Sequence, residues 1–246
     1  MLNKDESRVG LRTYSSRSLH GQVVHELGKR IISGKICEGE ILPNEADCGA
    51  EFEGSRTALR EGIKVLAAKG LLASRPPTGT RVSPRLEWNM LDPDVLAWRM
   101  ESGQHVEFVK ELHEFRRATE PMAASLAALR ATEAEIANME VALDEMEAAG
   151  RDVQSSIDPD LCFHQSILAA SGNELLASLS SMIETSLAFS FQICPADKKI
   201  DAVPSHRAVL DAIRARDSVA ASEAMLALLE KARAWNEEVI TDMAAS

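Results

Sequence analysis

Asp160 and His164 lie four residues apart, so on a helix they project from one face. A second histidine, His206, opens a later segment whose apolar positions Val209, Leu210 and Ile213 recur at helical spacing. One carboxylate and two imidazoles converging inside a helical bundle would suit a divalent metal: zinc first, with nickel and manganese as alternatives. Three protein donors would leave coordination positions open for water or an anionic ligand. The same residues have plainer uses. Asp158 or Asp160 can cap a helix, and a histidine on a partly apolar face is commonly a hydrogen-bonded structural residue. Spacing alone does not show that the two helices meet.

A different chemistry gathers near the front of the chain. Ser55, Arg56, Thr57 and Arg60 occupy the first turns of a segment whose apolar set is Leu59, Ile63, Val65 and Leu66. Arginine can bond a guanine edge or a phosphate, while hydroxyls and helix N-terminal amides suit phosphates. Singly, each residue could be part of a solvated helix face with ordinary caps. Together they point to double-stranded DNA.

The elements that must hold these residues follow from periodicity and punctuation. Val23, Val24, Leu27, Ile31 and Ile32 predict a helix over 20–33, stopped by Gly34. Asn44 caps a short helix to Phe52, Glu53-Gly54 turns, and Ser55 caps a longer helix ending near Gly70. Leu71–Arg75 and Thr80–Val82 flank a Pro-Pro-Thr-Gly turn and read as a hairpin with Arg75 and Gly79 at its tip. This is a helix-turn-helix followed by a wing. Residues 1–17 are polar and read as a flexible N-terminus, and 84–92, bounded by Pro84 and Pro93, as a linker. From 93 to 243 strand signals are absent and helix formers dominate, with spans near 93–102, 104–131, 133–149, 153–171, 174–194, 201–216 and 218–243. Pro121 should kink the second of these. The fold class is therefore mainly α: an N-terminal winged helix-turn-helix over 18–83 and a C-terminal all-α bundle.

Charge divides at the same place. The net charge of the 246 residues is −11, but residues 1–87 carry +3 and residues 88–246 carry −14. DNA could approach the first part and would be repelled by the second. No apolar run is long enough to span a membrane. The N-terminus lacks a secretory pattern, and four scattered cysteines without a CxxC pair suit free thiols in a cytoplasmic protein.

Several motifs in order carry a resemblance. Leu42-Pro-Asn-Glu45, Ser55-Arg56-Thr-Ala-Leu-Arg60-Glu61, Leu66-Ala-Ala-Lys-Gly70-Leu and Gly79-Thr-Arg-Val82 resemble the winged-helix signature of the GntR family of bacterial transcription regulators. The resemblance implies DNA contacts by Arg56 and Arg60, backbone contacts by Ser55 and Thr57, and Gly79 at the wing tip. Many members carry an arginine where this chain has Ala46, so operator preference should differ. Asp160-Leu-Cys-Phe-His164, Ala169-Ala-Ser-Gly-Asn173 and His206 resemble the FCD effector domain of the FadR subfamily. That implies a homodimer and a metal held by Asp160, His164 and His206. The family's usual fourth histidine falls at Leu228, which leaves three ligands. Arg116, followed by Glu120-Pro121, matches the arginine with which members bind an effector carboxylate; the plainer use is an ion pair with Glu120 one turn on. The segment from Pro84 to Trp98 resembles the linker of galactonate-operon repressors, which implies a sugar acid as effector and places Trp88 and Trp98 at the joint between domains.

The resulting expectation is a cytoplasmic, ligand-responsive repressor, a homodimer with no membrane partner. Its alternatives are a regulator of the same family sensing another small acid or acting as activator, a metal-dependent hydrolase using the Asp/His/His site, and a purely architectural module.

Overall fold

A computed structural model describes residues 18–42, 56–75, 79–102, 105–150, 152–193 and 202–244. The chain forms two compact units that divide between His105 and Val106.

In the first unit α1 (Leu19–Ile32) starts at Ser18, whose hydroxyl accepts the Gly21 amide at 3.0 Å. It buries Val23, Val24, Leu27, Ile31 and Ile32, the five positions that predict it. The second helix of the unit, α2 (Arg56–Ala68), turns Leu59 and Leu66 into the same core. The short helix expected from Asn44 to Phe52, the Ser55 cap and the proline turn lie outside the described residues. Gly70 ends α2 at φ +78°, where a Cβ would stand 2.1 Å from the Glu87 carbonyl oxygen, so no other residue fits there. The hairpin follows as β1 (Leu72–Arg75) and β2 (Gly79–Val82), antiparallel, with Leu72 opposite Val82 and Arg75 opposite Gly79.

The expected linker is part of this unit. Trp88 is buried and donates its Nε1 hydrogen to the Ser83 carbonyl at 2.9 Å, and the Asn89 amide bonds the Lys69 carbonyl at 2.9 Å. The next helix, α3 (Pro93–Glu101), also belongs here rather than to the helical bundle behind it. The reason is Trp98, 1% exposed. Its ring lies so close to α1 that a Cβ on Gly28 would come within 2.5 Å of it, and its Nε1 donates to His25 Nδ1 at 3.1 Å. Both tryptophans pack in the core of the first unit.

A buried cation fixes the start of α3. Lys69 Nζ lies 2.8 Å from both oxygens of Asp92, the N-cap of α3, and 2.7 Å from Oδ2 of the fully buried Asp94. Burial works against the Lys69 charge, but the two carboxylates outweigh it and hold its pKa above the ordinary 10.5. The contribution is therefore complete at every pH below that value and is lost only as pH rises through the raised one. Lys69→Ala should destabilise this unit by about 2–4 kcal/mol, since it removes the cation shared by two carboxylates. Thermal unfolding followed by tryptophan fluorescence reads this; an unchanged midpoint would refute the assignment.

Among the described residues the elements of the second unit are all helices: α4 (His105–Arg130), α5 (Glu133–Ala149), α6 (Val153–Ala170), α7 (Glu174–Ala177), α8 (Ser180–Ile193), α9 (Val203–Arg214) and α10 (Ser218–Ala244). Thr132 and Glu135 form a capping box at α5, and Gly150 closes it. The helix α4 runs on through Pro121. Ala123, Ala124, Ala127 and Ala128, all buried, let neighbouring helices approach it closely. The single helix expected over 174–194 is two, because Ser178 turns its hydroxyl back to the Leu175 carbonyl at 2.7 Å and ends α7. No helix among the described residues is long and apolar enough to cross a membrane. Of the four cysteines, Cys37 and Cys162 are described, and both are free.

Candidate functional site

Three helices bring the chemistry together inside the second unit. On α6, Asp160 and His164 stand one turn apart; α9 places His206 in its first turn; α4 supplies Arg116 and Glu120. All five are buried. His164 Nε2 lies 3.3 Å from Asp160 Oδ1, His206 Nε2 lies 3.1 Å from the same oxygen, and the two Nε2 atoms are 3.4 Å apart. The spacing alone did not show that α6 and α9 meet; they meet at these three atoms.

The far side of each imidazole explains which nitrogen is offered. His206 Nδ1 donates to the Ala202 carbonyl at 2.8 Å, and His164 Nδ1 donates to Glu120 Oε2 at 2.5 Å. Both rings therefore carry their proton away from the centre and turn an Nε2 lone pair toward it. Two lone pairs 3.4 Å apart beside a carboxylate oxygen repel one another unless a positive charge lies between them. Ligand atoms about 2.0–2.1 Å from a tetrahedral ion are separated by roughly 3.3 Å. The donor set thus fits a divalent metal in chemistry and in spacing. Leu228, where a fourth imidazole could have stood, lines the same cavity and offers no donor.

Charge around the centre is arranged for the same purpose. Burial opposes ionisation of Asp160, but His206 and His164 hold its carboxyl well below the usual range. Burial also opposes ionisation of Glu120, yet Arg116 and His164 bring it down to about 2. Burial disfavours charge on His164, and Glu120 and Asp160 overcome that and raise its pKa. A proton and a metal ion compete for this nitrogen. Phe163 packs edge-on against His206 at 5.0 Å and fixes its plane.

Arg116 is neither a free surface charge nor remote from the candidate metal ligands. It pairs with Glu120 through Nε, as the plainer reading had it, but in the interior, 4% exposed. Its Nη2 lies 3.4 Å from His164 Nε2, and its Nη1 reaches Ser186 Oγ on α8 at 3.5 Å. Beside these groups lies a cavity of about 130 Å³, room for roughly ten water-sized groups. Met146, Leu187, Leu228 and Trp235 give it apolar walls, and Ser156, Ser190, Ser205 and Asn236 give it polar points. The sequence reading missed Ser190, Trp235 and Asn236. Their signal was present in the spacing of Leu228, Lys231, Ala232, Trp235 and Asn236, which recur at three and four along α10, but only the knowledge of what α10 faces makes it readable.

In the first unit Thr57 and Arg60 are exposed on the first turns of α2, while Ala58 and Leu59 between them are buried. Arg56 opens the helix. Gly79 opens β2 at φ +89°, exposed at the end of the hairpin. Ser55 lies outside the described residues, as does the Arg56 side chain.

Comparison with known proteins agrees with both halves. Residues 19–82 match the bacterial regulatory proteins of the gntR family, and residues 111–231 match the FCD domain. The chain is 35% identical to the galactonate operon transcriptional repressor of Escherichia coli K12, over 85% of this chain and 92% of that protein. It is 34% identical to the HTH-type transcriptional regulator YieP of the same organism, over 87% of this chain and 94% of that one. Among solved structures it is similar to Lar, which controls expression of the agr system of Listeria monocytogenes: the TM-score is 0.62 at 16% identity, covering 92% of this chain and 99% of the other. That last likeness is one of fold.

Proposed function

The chain belongs to the GntR family of bacterial regulatory proteins, with an FCD domain behind its winged helix, and we propose that it is a repressor which leaves its operator when a sugar acid binds the helical unit. It is a transcription regulator, not an enzyme. The observation that carries the effector reading is the buried triad Asp160, His164 and His206 with Arg116 beside it on a cavity. Arg116, Glu120 and Asp160 together carry one negative charge. Asp160, His164 and His206 would hold a divalent ion, zinc by preference, which would bring the group to one positive charge, and Arg116 would pair with a monocarboxylate that restores neutrality. When bound, the metal supplies a Lewis-acidic anchor for the acid's oxygens. The similarity to a galactonate operon repressor favours a polyhydroxy acid.

Arg56 and Arg60 read DNA in this scheme, with Ser55 and Thr57 on the phosphates and Gly79 at the wing tip. A two-fold operator calls for a homodimer. Its support is a stripe on α4 at helical spacing, where Met122 and Leu129, 57% and 62% exposed, alternate with the half-buried Phe115 and Leu126. Release requires the acid to bind the DNA-incompetent arrangement more tightly than the competent one.

The test pairs a thermal-shift screen of aldonic and hexuronic acids with a gel shift on DNA from upstream of the protein's own gene. An active acid should raise the melting temperature only without chelator and should release the DNA. Arg116→Ala should weaken that response by at least about tenfold, the value of a lost charged hydrogen bond, and leave DNA affinity without acid unchanged. Stabilisation by no acid, or equal stabilisation after chelation, would refute the reading.

A further inference from the structure

The cavity contains a second recognition point whose position along the ligand can be read from the helices. Arg116 Nη1 contacts Ser186 Oγ; one turn along α8, the Ser190 hydroxyl donates to the Ser186 carbonyl at 3.1 Å and accepts from Asn236 Nδ2 on α10 at 3.1 Å. The remaining end of that amide, Asn236 Oδ1, is buried and has no hydrogen-bond partner among the described residues. Rotating the amide by half a turn only exchanges which end is left over, because Ser190 can satisfy one end and not both. A buried amide oxygen without a donor costs free energy until something supplies one. Asn236 and Ser190 both line the cavity that holds the triad, and Trp235 stands next to them on its wall.

We infer that Asn236, held by Ser190, selects a hydroxyl of the effector that lies well down its carbon chain. The inference rests on the carboxylate reading above and narrows it. Arg116, which lines this cavity and contacts Ser186, marks the carboxylate end. Ser190 is four residues beyond Ser186, about 6 Å along the helix axis. An α-hydroxyl, one carbon from the carboxylate, stays with the metal and Arg116 and does not span that distance. The acid that satisfies both points is a polyhydroxylated one several carbons long, not a short 2-hydroxy acid such as lactate. Trp235 gives its C–H face an apolar surface, while Asn236 rejects a chain that lacks the hydroxyl, since that chain would leave the amide unpaired.

The decisive measurement is calorimetric titration of the zinc-loaded full-length protein with D-galactonate, D-gluconate and L-lactate, in parent, Asn236→Leu and Ser190→Ala forms. The parent should bind an aldonate more tightly than lactate by roughly tenfold or more. Asn236→Leu should remove that preference by weakening the aldonate alone, and Ser190→Ala should act in the same direction, while zinc affinity measured by chelator competition stays at the parent value in both. An equal loss for aldonate and lactate, or a preference that survives both substitutions, overturns the role of Asn236 and leaves the carboxylate reading intact. Lactate binding more tightly than either aldonate in the parent also overturns it. Binding of none of the three acids, with zinc in place, removes the carboxylate reading itself and this inference with it.

Discussion

Replacing Arg56 and Arg60 together by alanine should abolish retention of operator DNA in a gel shift while leaving the circular dichroism and the oligomeric state unchanged. Thr57 and Arg60 are exposed on the first turns of α2, while Ala58 and Leu59 carry the packing, so the helix keeps its buried face when the arginines go. Each arginine that reads a base edge or a phosphate contributes on the order of 1–3 kcal/mol. A two-fold complex loses two from each half, so affinity should fall by about a thousandfold or more. The steepness of binding against salt should fall as well if one of the pair contacts phosphate. Retention at the parent level would refute the assignment of this helix end to DNA.

The second large effect is expected in the second unit. His206→Ala should lower the affinity for zinc by at least about a hundredfold, because even residues that only orient a ligand are worth ten to a hundredfold. The substitution takes away one of three donors and also the edge contact that positions Phe163. Elemental analysis after dialysis and competition with a chromophoric chelator both measure it. Metal content equal to that of the parent protein would show that the donors are elsewhere. The response to acid should disappear in the same variant, and DNA binding without acid should persist, since His206 belongs to the second unit.

The legible parts of this chain were those written in local chemistry. The five apolar positions of α1 and the hairpin with Arg75 and Gly79 at its tip follow from periodicity and punctuation within about ten residues of each other. The candidate metal ligands were visible as types at Asp160 and His164, one turn apart, but their union with His206 depends on α6 and α9 both packing against α5, which no short-range pattern encodes. Glu120 shows the limit clearly. Its spacing to Arg116 predicts an ion pair, and the pair is there, yet its bond to His164 comes from a helix 44 residues away. The placement of α3 was misread for a related reason. Helical propensity says that 93–101 is a helix and does not say which core receives Trp98; that was decided by Gly28, a small residue far upstream that leaves room for an indole.

That indole has a practical meaning for dissecting the molecule. A DNA-binding fragment ended between Pro84 and Leu91 would discard Trp98 and both carboxylates that hold Lys69, leaving a cleft over α1 where Gly28 and His25 lie. Such a fragment should aggregate or melt near room temperature. A DNA-binding fragment should therefore run at least through Ser102, and a loss of binding in shorter ones would report an unfinished interior as much as lost dimerisation.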